Sequence, residues 1–295
     1  MKALITGGRG FVGLHLAAHL EAEGDEVVAI DMEVDVTDPA AVTEAVAEAR
    51  PDVIYHLAAL AHVGDSWADP SKVLGVNVIG TANVLAAARQ VATSCRTIAV
   101  SSAEVYGIVT PSELPLSESS EVRPASPYAA SKAAAEQVAL QAARGFGQEV
   151  IVARPFNHVG PGQAPVFAVP ALAKRIVDAI EAGEGWLPVG TLTTRRDFTD
   201  VRDVVRAYRL LALTGTSGEV YNIASGVDVE IAQIARMLLD LAGADLELRP
   251  DESLIRPVDV PVLRGDAERI TAATGWRPSI PLETTLADVL DSFRG

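Results

Sequence analysis

Three glycines at fixed spacing, set between a strand and a helix, do most to limit what this chain can become. Lys2-Ala3-Leu4-Ile5 is a short apolar run that reads as a buried strand, and Thr6-Gly7-Gly8-Arg9-Gly10-Phe11-Val12-Gly13 follows at once. Gly7, Gly10 and Gly13 fit G-x-x-G-x-x-G, and an amphipathic helix to about Glu23 comes next. Glycines in that place permit a tight turn, bring backbone N–H groups against a pyrophosphate and let helix pack on strand. Without the flanking elements the same residues would be an ordinary glycine-rich turn. Their setting predicts a dinucleotide-binding unit with Gly7, Gly10, Phe11, Val12 and Gly13 on the cofactor.

Glu26-Val27-Val28-Ala29-Ile30 reads as the second strand, and Asp31 stands at its end. An acid there hydrogen-bonds the adenosine ribose hydroxyls and repels a 2′-phosphate. No arginine lies between Asp31 and Asp38, so NAD(H) is the favoured cofactor and NADP(H) the alternative. Asp35 and Val36 are placed at the adenine edge, while Asp38 serves equally well as the cap of a helix over 39–49. The alternation continues with a strand at 53–57, a helix over about 71–92, a strand at 97–100, a helix over 127–144 and a strand at 150–153. Strands interleaved with helices predict an α/β, Rossmann-type doubly wound parallel sheet. Ligands lie at the carboxyl ends of such strands. Gly7–Gly13, Leu57-Ala58-Ala59 and Ser101-Ser102 all fall on that edge.

The chemistry is expected between Ile98 and Lys132. Ser102 closes a strand, and Ser126-Pro127-Tyr128-Ala129-Ala130-Ser131-Lys132 opens an Ala-rich helix. Tyr128 and Lys132, at i and i+4, share one helix face. A lysine charge there is expected to pull the phenol down toward neutrality, and a tuned phenol serves as general acid or base. Ser102 is placed to hydrogen-bond the same substrate oxygen. Surface helices also place Tyr-x-x-x-Lys pairs freely; the dinucleotide signal at the other end of the unit favours the catalytic reading.

Composition removes other classes. The net charge of −15 argues against nucleic acid and anionic membrane as partners. Lysine occurs only at positions 2, 72, 132 and 174, so Lys132 is one of few. Cys95 is the single cysteine, which leaves no intramolecular disulfide and fits a reducing cytoplasm. No metal site is expected. The strand at residue 2 leaves no room for a leader, and no apolar run reaches the ~18 residues a membrane span needs.

With these pieces in place, the chain resembles the extended short-chain dehydrogenase/reductase superfamily of nucleotide-sugar enzymes. The matching residues are the glycine loop, Asp31, His56-Leu57-Ala58-Ala59, Asn77 in Val76-Asn77-Val78-Ile79-Gly80-Thr81, Ser101–Gly107 and Tyr128–Lys132. The resemblance implies a catalytic triad of Ser102, Tyr128 and Lys132, with the last two also against the cofactor. His56 and Asn77 are read as structural. Arg154-Pro155-Phe156-Asn157-His158-Val159-Gly160-Pro161, Arg196-Asp197-Phe198-Thr199-Asp200 and Leu254-Ile255-Arg256-Pro257-Val258-Asp259 look like the corresponding segments of GDP-4-keto-6-deoxy-D-mannose reductases. That likeness implies that Asn157, Arg196 and Arg256 contact the nucleotide diphosphate, as planar bidentate arginines suit. Val166, Lys174 and Asp259 are assigned to the substrate side with them.

Two departures bear on the reaction. The Asp31 segment is shorter and more acidic than in relatives that take NADPH. Ala103 stands where thymidine-linked 4,6-dehydratases carry an aspartic acid, while Glu104 remains and is expected to orient the sugar.

Residues 1–158 and 190–224 are assigned to the dinucleotide unit, and 159–189 and 225–295 to a smaller discontinuous substrate domain. The resemblance implies a homodimer through the Ala-rich helices. The expected activity is reduction of the C4 ketone of a GDP-linked 4-keto-6-deoxy hexose. Its rivals are a nucleotide-sugar 4-epimerase or GDP-mannose 4,6-dehydratase holding NAD tightly and, from another class, a non-catalytic dinucleotide sensor.

Overall fold

The computed structural model describes residues 1–254 and 260–294. It begins with β1 (Lys2–Thr6), α1 (Phe11–Ala22), β2 (Glu26–Ile30), α2 (Pro39–Ala49) and β3 (Val53–His56). A continuous helical run follows, made of α3 (Pro70–Leu74), a π-turn over Gly75–Ile79 and α4 (Gly80–Val91). Then come β4 (Arg96–Val100), α5 (Pro127–Phe146), β5 (Val150–Pro155), β6 (Asn157–Val159) and α6 (Ala168–Ala182). The chain continues through β7 (Trp186–Val189), β8 (Arg195–Asp200), α7 (Val201–Thr214), β9 (Val220–Ile223), β10 (Asp228–Glu230) and α8 (Ile231–Ala242). It closes with β11 (Glu247–Pro250), β12 (Val262–Leu263), α9 (Glu268–Thr274) and α10 (Leu282–Asp291).

The main sheet has the order β2-β1-β3-β4-β5-β9, every pair parallel. Its central strands are apolar through their middles because helices cover both faces; Ala3, Leu4, Ile5, Ile54 and Tyr55 are fully buried. From β1 the chain goes to one side for β2 and then to the other for β3. Such a reversal opens a crevice at the carboxyl ends of β1 and β3, where the glycine loop and Leu57-Ala58-Ala59 lie.

A second sheet centres on β8, with β10 antiparallel on one side, β12 parallel on the other and β6 along its far end. Helices α6, α8 and α10 bury Leu172, Ile176, Ile234, Leu238 and Leu286 in a core of their own. Residues 195–200, read from sequence with the dinucleotide unit, are hydrogen-bonded into this smaller sheet. The sequence Arg-Arg-Asp-Phe-Thr-Asp carries no strand pattern. Its buried charge is met at long range, since Asp197 accepts N–H bonds from Ser225 (2.7 Å), Gly226 (2.9 Å) and Gly265 (3.1 Å).

The run Pro70–Val91 corrects one expectation, because by length and composition it could cross a membrane, with a mean hydropathy of 1.3. Here it packs between α2 and α5, and its buried polar residues Asn77 and Thr81 bond β3, α5 and the loop after β3.

Candidate active site

The glycine loop is tight for identifiable reasons. Gly7 has φ +71°, and a Cβ on it would stand 2.8 Å from the Ala58 backbone nitrogen. A Cβ on Gly13 would drive into the carbonyl oxygens of Gly7 and Gly8. Gly10 precedes α1 with no side-chain cap, and the first turn holds no acid. The helix therefore presents unsatisfied N–H groups to the cleft, the arrangement a pyrophosphate binds. Phe11, Val12, Leu57, Ala58 and Ala59 line the same space.

Asp31 sits over the loop, where its Oδ2 accepts the Arg9 N–H at 2.8 Å and its Oδ1 the Met32 N–H at 2.9 Å. Asp35 and Val36 line the cleft beside it. Bonds from the Thr37 backbone and hydroxyl, both 2.8 Å, hold the Asp35 carboxyl below its usual range. Asp38 caps α2, accepting from Ala40 N–H at 2.9 Å and Ala41 N–H at 3.3 Å. Arg9 was not singled out from sequence. Its guanidinium reaches Glu33 at 3.1 Å beside Asp31, a closeness created only when the loop folds against the end of β2.

The proposed catalytic groups converge across β4 and α5. Ser126 caps α5 by accepting the Ala129 N–H at 3.1 Å, with Pro127 in the first turn, so the helix starts where Tyr128 is needed. Ser102 accepts the Glu104 N–H at 3.2 Å, and its side chain is hydrogen-bonded to Tyr128. Burial pushes the Tyr128 phenol up to about 12; the Ser102 bond opposes this and the Glu104 charge adds to it. The expectation that lysine pulls the phenol toward neutrality is thus corrected. Lys132, itself brought down to about 8 by burial, turns its ammonium to the Val100 carbonyl at 2.8 Å. A phenol so placed keeps its proton at neutral pH, which suits an acid.

Behind these groups runs a buried hydrogen-bond chain. Thr81 donates to the Asn77 carbonyl at 2.6 Å, so it accepts from His56 Nε2–H at 3.0 Å. His56 Nδ1 then accepts from the Thr6 hydroxyl at 2.7 Å, and Thr6 accepts the Ala58 N–H at 3.2 Å. Burial, with a smaller effect of Lys132, depresses His56 to about 3, so the ring is neutral. Asn77, turned inward by the π-turn, clamps Leu60 through both its N–H (2.8 Å) and its carbonyl (3.2 Å). It also donates to Ser131 at 2.8 Å, which in turn donates to the Tyr128 carbonyl at 2.7 Å. The chain ties the cofactor loop to the helix that carries Tyr128.

The cleft extends over the second sheet to a volume of about 1180 Å³, above the usual range of single-ligand pockets and roomy enough for two ligands side by side. Asn157, Val166 and Arg196 line it, as do His158 and Arg175. Lys174 does not. It lies on the exposed outer face of α6 with its ammonium 2.6 Å from Asp178, and the next residue, about 100° around the helix, faces inward. Arg256 and Asp259 lie outside the described residues. His158, unremarked in the sequence, stacks on Phe11 with ring centroids 6.3 Å apart. His15 donates to the Pro161 carbonyl at 3.0 Å. These contacts seat the 158–161 segment on the first turn of α1.

The chain is similar to known proteins along nearly its whole length. A family model described as the NAD dependent epimerase/dehydratase family matches residues 3–224. GDP-6-deoxy-D-mannose reductase of Pseudomonas aeruginosa is 35% identical over 99% of this chain and 97% of its own length. The structure of RMD from Pseudomonas aeruginosa complexed with NADPH superposes with TM-score 0.91 at 36% identity, covering 99% of each chain. The Thermus thermophilus UDP-glucose 4-epimerase complex with NAD gives TM-score 0.90 at 30% identity, covering 100% of this chain and 99% of the other.

Proposed function

Because the chain belongs to the NAD dependent epimerase/dehydratase family, we propose that it reduces the C4 ketone of a GDP-linked 4-keto-6-deoxy hexose, giving a GDP-6-deoxy-D-mannose-type product. The observation that carries this reading is the buried Tyr128 phenol, bonded to Ser102 and set with it and Lys132 on the wall of the cleft. A ketone reductase needs a proton donor at that place, and a full-length relative is a reductase of this class.

A nicotinamide dinucleotide supplies hydride when bound. The uncapped start of α1 and the glycines at 7, 10 and 13 fit its pyrophosphate, and Asp31 fits its adenosine ribose. Tyr128 gives its proton to the C4 oxygen as that oxygen gains charge. Ser102 hydrogen-bonds the same oxygen, and Lys132 holds the ribose hydroxyls and supports the phenolate that proton transfer leaves. Glu104 orients the sugar. Arg196 and Asn157 take the diphosphate of the substrate, joined by Arg175 in the place first given to Lys174.

We further propose a cytoplasmic homodimer. The π-turn before α4 and the end of α5 leave Ile79 and Phe146 more than half exposed, and light scattering of the purified protein reads the oligomeric state. The reductase reading is tested by mixing protein, NADH and GDP-4-keto-6-deoxymannose and following absorbance. Stoichiometric loss of NADH is expected. Binding of both ligands without loss would instead favour the 4-epimerase reading.

A further inference from the structure

Two turns beyond Tyr128, and one beyond Lys132, the same buried face of α5 carries Glu136. The three residues follow at i, i+4 and i+8, so each is the next one's neighbour along the helix. Glu136 is 3% exposed and does not point to solvent. Its Oε2 accepts from Arg154 Nε at 2.8 Å, and the Arg154 Nη2 closes on Oε1 to make the pair bidentate. Arg154, on β5, is 4% exposed. It is fixed from its other side by the Tyr106 hydroxyl at 2.9 Å, with the guanidinium over the Tyr106 ring. Ser101 donates to the same Glu136 Oε2 at 3.0 Å, and Ser101 is the residue next to Ser102.

Lys132, Glu136, Ser101, His56 and Thr81 line one small cavity of about 10 Å³. Lys132 and Glu136 thus line a common space. They have opposite charge and stand one turn apart, and yet each takes another partner. Lys132 bonds the Val100 carbonyl and Glu136 bonds Arg154. Replacing a buried ion pair of this kind by apolar residues of the same volume is often neutral or stabilising, so the pair is weak evidence of a purely stabilising role.

We propose that the Glu136–Arg154 pair is a positioning device for the reaction. Arg154 occupies the carboxylate that would otherwise capture Lys132, and Glu136 ties Ser101, and with it Ser102, to the helix bearing Tyr128. Neither residue touches substrate. The inference deepens the function proposed above and rests on it for the roles of Ser102, Tyr128 and Lys132. The titratable and charged groups around Lys132 are Tyr128 and Glu136 on α5, His56 on β3, Glu104 in the turn after β4, Arg154 on β5 and Tyr208 on α7. Among these groups Glu136 and Arg154 form the directly bonded pair of opposite charges.

The test uses the scarcity of lysine. The full-length protein has four lysines, so lysine labelled with carbon-13 at Cε gives four resonances, and loss of one in Lys132→Met assigns the buried site. The midpoint of that resonance against pH is then read in Arg154→Met and Glu136→Gln. Removing the arginine leaves the carboxylate to Lys132 and raises the midpoint; removing the carboxylate leaves the guanidinium and lowers it, each by about half a pH unit or more. The alkaline limb of turnover moves with them. A purely structural pair would lower stability in both variants and move the midpoint in neither.

If Arg154→Met does not fold, Glu136→Gln and the double variant E136Q/R154M decide. The single variant should lower the midpoint and the double should return it toward the parent's value. An unmoved midpoint, or a rise in Glu136→Gln, overturns the proposal. A parent protein that fails to reduce the ketosugar overturns the function proposed above and leaves these midpoints to decide the role of the pair.

Discussion

Lys132 Nζ donates to the Val100 carbonyl oxygen at 2.8 Å, so the lysine on α5 closes onto the strand that leads into Ser102. Burial brings this ammonium down from 10.5 to about 8. Between those values the unfolded chain binds the proton and the folded protein does not, so stability rises with pH across the window. That contribution is complete above 10.5 and is lost as pH falls through 8. Below it the folded protein carries a buried charge that costs on the order of 3 kcal/mol. Lys132→Met should therefore unfold at a higher temperature than the parent at pH 7 while losing most turnover. Thermal unfolding at pH 7 and near pH 10.5 checks this. A gain that does not shrink at the higher pH, or no gain at all, contradicts it.

Tyr128→Phe keeps the buried ring and removes only the phenol. Turnover should fall about 10²- to 10⁴-fold, the usual worth of a positioned acid. Near-ultraviolet circular dichroism should stay that of the parent. Turnover close to the parent's would take Tyr128 out of the mechanism.

The glycine loop predicts an order of severity. A Cβ at Gly10 meets only the Gly7 carbonyl oxygen, at 3.2 Å, whereas one at Gly13 collides with two backbone carbonyls that cannot swing aside. Gly13→Ala should cost about 1–3 kcal/mol and abolish NADH binding in a fluorescence titration. Gly10→Ala should weaken binding less, and the reverse order would contradict the packing described.

In the proposed binding mode Asp31 places a negative charge at the adenosine ribose, where a 2′-phosphate would add two more. Asp31→Asn retains an acceptor for the Arg9 N–H and removes the repulsion. The ratio of kcat/KM for NADPH over NADH should rise at least roughly tenfold. An unchanged ratio would transfer cofactor choice to another group, with Arg9 the nearest candidate.

What the sequence made legible follows from the range of the interactions involved. The glycine loop, the Ser126 cap and the Tyr128–Lys132 face are set within a few residues, and the central strands announce themselves by short apolar stretches. Lys174 was misplaced through helical phase alone, since one residue separates the outer face of α6 from Arg175 in the cleft. Strand β8 escaped notice because its charged sequence is buried only with partners nearly thirty and seventy residues away, Ser225 and Gly265 to Asp197. The i, i+4 spacing places Lys132 beside Tyr128 on α5 without showing which influence on the phenol is larger. Burial of the phenol outweighs a neighbouring charge that is turned to a backbone carbonyl. Arg9 and His158 gave no local signal, because both matter through segments that meet only in the folded chain.

The reductase reading is tested most directly by following the hydride itself. The protein is mixed with GDP-4-keto-6-deoxymannose and with NADH carrying deuterium at C4 of the nicotinamide, on each face in turn, and the sugar product is examined by mass spectrometry and NMR. The account predicts that one of the two labelled cofactors places a single deuterium on C4 of the product, with one NADH consumed for each sugar reduced. A product without deuterium from either cofactor, or turnover with no net loss of NADH, would contradict it.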